Sequence, residues 1–291
     1  MMRLKARAKI NWTLDIVGQR QDGYHLMDML MQPVTLADDI TLSPAEEISL
    51  TTGGSPLLPA DEKHLAYRAA MALKAHTGYP AGAAIHVEKH IPVGAGMGGG
   101  SADAAGVLVG LNRLWGCNLP QEELEAIGLK LGADVPFCLR GGLTRTTGIG
   151  EAMENLPCGR NWPLVVIQPC EGLSTKEIFT AYHESVVDAC PDNTAAAHAL
   201  AHGNSAALSA AMANVMQPVS EARRPGIHEA IEALKEHGAF AAQMTGSGSA
   251  VFGAFTDEAS AAKACEALRP RWERTFLCET CMESVVIEDA N

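Results

Sequence analysis

Between Pro92 and Ala102 the chain reads Pro92-Val93-Gly94-Ala95-Gly96-Met97-Gly98-Gly99-Gly100-Ser101-Ala102, with five glycines in seven residues. Glycine lets a backbone approach a polyanion closely, and the free amides of a first helical turn point at it. Apolar residues then recur at Ala104, Val107, Leu108, Leu111 and Leu114, which is helical spacing. The stretch is expected to cradle phosphates at a helix N-terminus, where the dipole adds ~0.3–1 kcal/mol for an anion. Gly94 to Gly99 also fits G-x-G-x-x-G. The dinucleotide reading, however, needs a following strand that ends in an acidic residue about 20 residues on, and here a loop and another helix follow. The same residues outline a P-loop with Gly100 where its lysine must stand, so a standard P-loop is excluded. A flexible connector fits poorly between a strand and an amphipathic helix. Ser101 and Asp103 stand where capping side chains belong, and Ser101 either caps the helix or ligates Mg²⁺.

Two more groups could work beside such a loop. Residues Ala6 to Ile16 alternate: Ala6, Ala8, Ile10, Trp12, Leu14 and Ile16 share one face, and Arg7, Lys9, Asn11, Thr13 and Asp15 the other. Period two predicts a half-buried strand, with Lys9 and Asn11 side by side on its polar face. Asp134 lies between Gly132 and Pro136. It is either an ordinary helix start or a carboxylate that accepts a proton from an attacking hydroxyl.

The elements that must position these groups follow from pattern. A turn at Asp22-Gly23 leads into a strand opened by Tyr24 and His25, and Asp39 to Leu42 forms another. Leu65 to Lys74 predicts a helix, Ala84 to Glu88 a strand, and Gln121 to Leu131 a helix ended by Gly132. Turn-formers between Asn155 and Pro163 mark a domain boundary, after which Pro163 to Pro169 starts a strand. Thr194 to Met216 is an alanine-rich helical stretch, Ile227 to His237 a helix, and Gln243 to Phe255 a glycine loop feeding a strand. Strands and helices interleave without a βαβ rhythm, so the fold class is α+β.

Composition limits the partners. A net charge of −12 disfavours nucleic acid and anionic membranes, which need positive potential. No apolar run approaches the ~20 residues of a membrane span. The basic start, MMRLKARAKINW, lacks the apolar core of a signal peptide. Eight scattered cysteines read as reduced thiols in the cytoplasm. The CxxC of Cys278 and Cys281 lacks a partner pair for zinc. His198 and His202 lack the glutamate of a zinc-protease helix. The alternation of Met27, Met29 and Met31 fits strand packing.

Taken together, AKINW, DGYH, IPVGAGMGGGSADAA, LGADVPFCL, TGIGE, STKEIF and MTGSGSAVF resemble the galacto-, homoserine, mevalonate and phosphomevalonate kinase superfamily, from about residue 5 to about residue 256. AKIN with DGYH and GADVPF points, more narrowly, to the branch whose acceptor is diphosphocytidyl-methylerythritol. The resemblance implies a two-lobed fold with the site in the cleft, an ATP-binding domain over 1–157 and a C-terminal kinase domain over 158–291. It implies ATP and Mg²⁺, and phosphorylation of a 2-hydroxyl in the non-mevalonate route to isoprenoid precursors. Asp134 is then the general base, Lys9 the cation at the transferring phosphoryl group, and Asn11 a substrate-positioning residue. Tyr24 and His25 recognise cytosine, Thr175 and Phe179 close that pocket, and Gly246 to Ser249 support the phosphate loop. The chain departs from the pattern at His64, where the family often has an adenine-holding asparagine, and at Lys176, where some members carry proline. The partner implied is a small molecule, and the assembly a monomer or weak homodimer. Two alternatives stay open: a superfamily kinase for another polyol, amino alcohol or mevalonate-like acid, and a non-catalytic nucleotide sensor.

Overall fold

The computed structural model describes residues 1–55, 62–182 and 189–288. In chain order the elements of the first half are β1 (Met2–Gln19), β2 (His25–Ala45), β3 (Ser49–Gly53), α1 (Leu65–Thr77), β4 (Gly82–Glu88) and α2 (Gly99–Leu114). α3 (Gln121–Leu129), α4 (Val135–Arg140), β5 (Leu143–Gly148) and β6 (Ala152–Leu156) follow. The second half holds β7 (Pro163–Ile167), α5 (Thr175–Ala181), α6 (Asn193–His202), α7 (Ser205–Ala211), α8 (Gln217–Arg223) and α9 (Gly226–Glu236). It ends with β8 (Ala241–Met244), β9 (Val251–Ala254), α10 (Glu258–Leu268), β10 (Thr275–Glu279) and β11 (Val285–Glu288).

Two sheets organise the molecule. The first runs β11-β1-β2-β4-β3, with β5 pairing β2 and β6 pairing β5; the second runs β10-β7-β9-β8. The strands read separately at Tyr24-His25 and at Asp39 to Leu42 are the two ends of one strand, β2. The apolar face of β1 packs under α2, and the fit is tight. A Cβ on Gly106 would lie 2.6 Å from Ile40 Cδ1 and 3.3 Å from Ala6 Cβ, so glycine permits the close approach of helix to sheet.

The polar face of β1 is not half-buried as alternation predicts. Lys9 is 4% exposed, and Asn11 and Thr13 are fully buried. The second half of the chain covers them. Leu14 exchanges backbone bonds with Ala213 and Val215. Gln243 Nε2 donates to the carbonyls of Asn11 and Trp12 at 3.1 and 3.0 Å. Trp12 meets Phe252 edge-on at 5.5 Å. Period two reports which side of a strand is polar, but it does not report that a second sheet will bring its own polar partners to that side.

The alanine-rich stretch is two helices rather than one. Gly203 ends α6 in the left-handed region at φ 64°, and Asn204 caps α7 by accepting from the Ala207 amide at 3.1 Å. Neither Ser101 nor Asp103 caps α2. Its N-cap is Gly98 at φ 70°, without a side-chain bond, and Asp103 is buried against Lys89. β11 returns from the second half to pair with β1, so both halves contribute strands to the first sheet.

Candidate active site

The reactive groups gather in a cleft of about 1430 Å³. Lys9 and Asn11 reach it from β1, between two irregularities of the β1–β2 register at Arg7/Lys9 and Asn11/Thr13. Bulges bend a strand and re-aim its side chains, which plain alternation does not show. Lys9 Nζ donates to Asn11 Oδ1 at 2.7 Å and lies 3.9 Å from Asp134 Oδ2. Asn11 Oδ1 also accepts from the Gly246 amide at 3.1 Å, and Asn11 N donates to Thr245 Oγ1 at 3.0 Å. Asn11 is therefore held by protein groups on several sides, and its oxygen fixes the Lys9 ammonium.

Asp134 precedes α4 in helical conformation but makes no capping bond. Its carboxylate turns to Lys9 instead, and its side chain is 38% exposed to the cleft. Both groups stand beside Gly98. A Cβ there would lie 3.2 Å from Lys9 Cγ and 3.8 Å from Asp134 Oδ2.

Residues Pro92 to Ser101 line the cleft, while Ala102 is buried in the core and does not. The loop is backed by two neighbours. Lys9 N donates to Met97 O at 3.0 Å, and Ala250 N donates to Ala95 O at 3.1 Å. Gly96, at φ 76°, packs against the backbone of Thr245 and Gly248, leaving no room for a side chain. The segment Gly246 to Ser249 thus lies directly behind the loop, and Ser247 is held by Thr175 Oγ1 at 2.9 Å. With no side chain capping α2, its first amides stay open to an anion.

At the other end of the cleft His25 stacks on Phe179, ring centroids 5.1 Å apart and 25° between planes. Tyr182 meets His25 edge-on at 6.1 Å. Tyr24 lines the same end but is 62% exposed. Thr175 and Lys176 are in the wall, and so is His64, whose Nδ1 accepts from Ala66 N at 3.2 Å and so caps α1. The expected sites Lys9, Asn11, Tyr24, His25, Asp134, Thr175 and Phe179 all reach one cavity.

Several wall residues were not singled out from sequence. Tyr182 carried a signal, since it follows Phe179 by one helical turn. Lys89 and Asp103 carried little: one is a charged residue at a strand end, the other resembles a cap. Burial raises the Asp103 pKa, against the pull of the Lys89 ammonium beside it. Burial opposes the Lys89 charge, but Asp103 and Asp38 overcome it and raise its pKa. Elsewhere, burial pushes the Cys278 thiol up to about 12 and the Cys281 thiol to about 11.

Comparison with known proteins agrees with this geometry. Residues 64–142 match the GHMP kinases N terminal domain and residues 196–274 the GHMP kinases C terminal domain. A 4-diphosphocytidyl-2-C-methyl-D-erythritol kinase of Caldicellulosiruptor saccharolyticus is 40% identical, over 96% of this chain and 97% of its own. That of Symbiobacterium thermophilum is 42% identical over 92% and 96%. A crystal structure of 4-(cytidine 5'-diphospho)-2C-methyl-D-erythritol kinase superposes with a TM-score of 0.83 at 33% identity, covering 96% of this chain and 99% of that one. Homoserine kinase from Cytophaga hutchinsonii shares the fold, with a TM-score of 0.75 at 18% identity, over 99% and 97% of the two chains. With two sheets, a glycine loop and full-length similarity in accord, the chain belongs to the GHMP kinases and, within them, to the 4-diphosphocytidyl-2-C-methyl-D-erythritol kinase family.

Proposed function

We propose that this chain transfers the γ-phosphoryl group of ATP to the 2-hydroxyl of 4-diphosphocytidyl-2-C-methyl-D-erythritol, in the non-mevalonate route to isoprenoid precursors. One observation carries the reading: an ammonium and a carboxylate, 3.9 Å apart, meet at the open edge of the glycine loop. Phosphoryl transfer asks a protein mainly for positioning and charge stabilisation. The free backbone amides of the glycine loop and of the first turn of α2, within 93–101, hold the polyphosphate. Lys9, kept in place by Asn11, stabilises charge on the transferring group. Asp134 accepts the proton of the attacking hydroxyl as its oxygen bonds to the γ-phosphorus and the bond to the bridging oxygen of ADP breaks. His25, Phe179 and Tyr24 offer aromatic surface to the cytosine, and Thr175 closes that end.

Mg²⁺ is part of the same reading. Ser101 offers a hydroxyl in the first turn of α2, and its oxygen faces the turn before Asp134, 3.9 Å from where a Cβ on Gly132 would stand. A hydroxyl is a hard oxygen donor that suits this ion, and Ser101 would hold it together with the nucleotide's own phosphate oxygens. When bound, the ion neutralises charge on the β- and γ-phosphates. His64 and its neighbours in the first lobe, residues 1–157, border the nucleotide, and the second lobe, 158–291, closes the cleft. No described helix is long and apolar enough to cross a membrane. The reading places a monomer or weak dimer in the cytoplasm with its ATP.

The test is a coupled ADP-release assay with ATP, Mg²⁺ and the diphosphocytidyl acceptor. Turnover that requires the cytidine-bearing acceptor supports the proposal. Turnover with another alcohol alone, or none with any acceptor, refutes it.

A further inference from the structure

Beneath the phosphate loop lies a charged cluster that the transfer chemistry does not use. Asp38 on β2, Lys89 after β4 and Asp103 in α2 have side chains at most 3% exposed. Lys89 Nζ donates to Asp38 Oδ2 and, at 2.7 Å, to Asp103 Oδ2. Asp38 Oδ1 accepts from the amides of His90 and Ile91 at 2.6 and 2.8 Å. These two residues lead directly into the loop, and Asp103 belongs to the helix that begins where the loop ends. A single ammonium therefore ties the entry of the loop to its exit. Gly99, the first residue of α2, closes the ring: a Cβ there would lie 3.0 Å from Ile91 Cγ2 and 3.4 Å from Lys89 Nζ. Lys89 and Asp103 also form part of the cleft wall, and Asp103 Oδ1 has no partner among the described residues.

A buried lysine between two carboxyl groups is an expensive way to join a strand and a helix, since apolar side chains of like volume usually serve as well. It makes better sense as a geometric device. A loop of five glycines loses more freedom on ordering than other sequences, so something must hold it. We propose that Asp38, Lys89 and Asp103 form a clamp that fixes the phosphate loop in its binding geometry, with Asp38 and Asp103 as positioning residues for the nucleotide. The clamp rests on the reading of 92–102 as the ATP loop.

The test titrates ATP, ADP and AMP into the full chain by calorimetry, alongside steady-state kinetics. Asp103→Leu is expected to weaken ATP and ADP about tenfold with AMP changed less than about twofold, as loss of one charged hydrogen bond acting through the loop would do. KM for ATP rises in step, while KM for the acceptor holds. Asp103→Asn keeps an oxygen toward Lys89 and shows a smaller loss. Asp38→Asn, which sets an amide against the ammonium, follows Asp103→Leu and carries the test if that variant does not fold. Equal weakening of all three nucleotides, or unchanged ATP affinity in folded variants, overturns the clamp. Wild-type protein that binds no nucleotide overturns the reading beneath it instead.

Discussion

Lys9 and Asp134 come from distant parts of the chain, yet each also has a local support besides the other. Asn11 Oδ1 holds the ammonium at 2.7 Å, and the turn at Gly132 aims the carboxylate. Replacing either should therefore leave the fold and the nucleotide site in place. Asp134→Asn is expected to lower kcat at least ~10²-fold, the low end for a lost general base, with ATP affinity by titration unchanged. Wild-type turnover in that variant would remove Asp134 from the chemistry. Lys9→Ala is expected to lose most turnover while its circular dichroism matches wild type. At the other end of the cleft, Phe179→Ala removes the ring stacked on His25. It should weaken competition by CMP about tenfold, the scale of one base–aromatic stack. Equal CMP inhibition of variant and wild type would place cytosine elsewhere.

At the scale of elements, tight packing and one ion pair make separate predictions. Helix α2 lies on β1 and β2 through Gly106, so Gly106→Val forces Ile40 and Ala6 apart. Overpacking a full core costs about 1–3 kcal/mol, and valine offers little helix propensity in return, so the melting temperature should fall. Arg145 on β5 holds Asp28 on β2 at 2.7 and 3.0 Å. Burial opposes the Asp28 charge, but Arg145 and Asn193 outweigh it and lower its pKa. A lowered folded-state pKa stabilises above the unfolded value, about 3.9, and that stabilisation is lost as pH falls through the folded value. Asp28→Asn should thus be less stable than wild type at neutral pH, with the gap closing in acid. A gap that widens below pH ~4 would reverse the sign argued here.

The whole molecule behaves as two sheets that complete each other. Gln243 and Thr245 bond to β1, Trp12 packs on Phe252, and β11 lies along β1 after the chain has built the second sheet. The first sheet is therefore finished only when the last strand arrives. A chain that stops before Val285 leaves the β1 edge unpaired, and an open edge invites association. Such a truncation is expected to lower the melting temperature and raise the aggregated fraction in size-exclusion chromatography. An unchanged monomer peak and melting curve would make β11 dispensable.

The sequence by itself determined the local chemistry. Glycine spacing marked the loop that leads into α2, alternation put Lys9 beside Asn11, and the family motifs pointed to Asp134, Tyr24, His25, Thr175 and Phe179, which line one cavity. These signals are legible because backbone freedom and side-chain direction depend on near neighbours in the chain. Burial of the polar face of β1, the return of β11 and the joining of Asp38, Lys89 and Asp103 were decided only by tertiary structure. Each depends on a partner tens to hundreds of residues away. A charge or a hydroxyl looks the same in sequence whether water or a distant strand will meet it, and only the packed fold chooses between them.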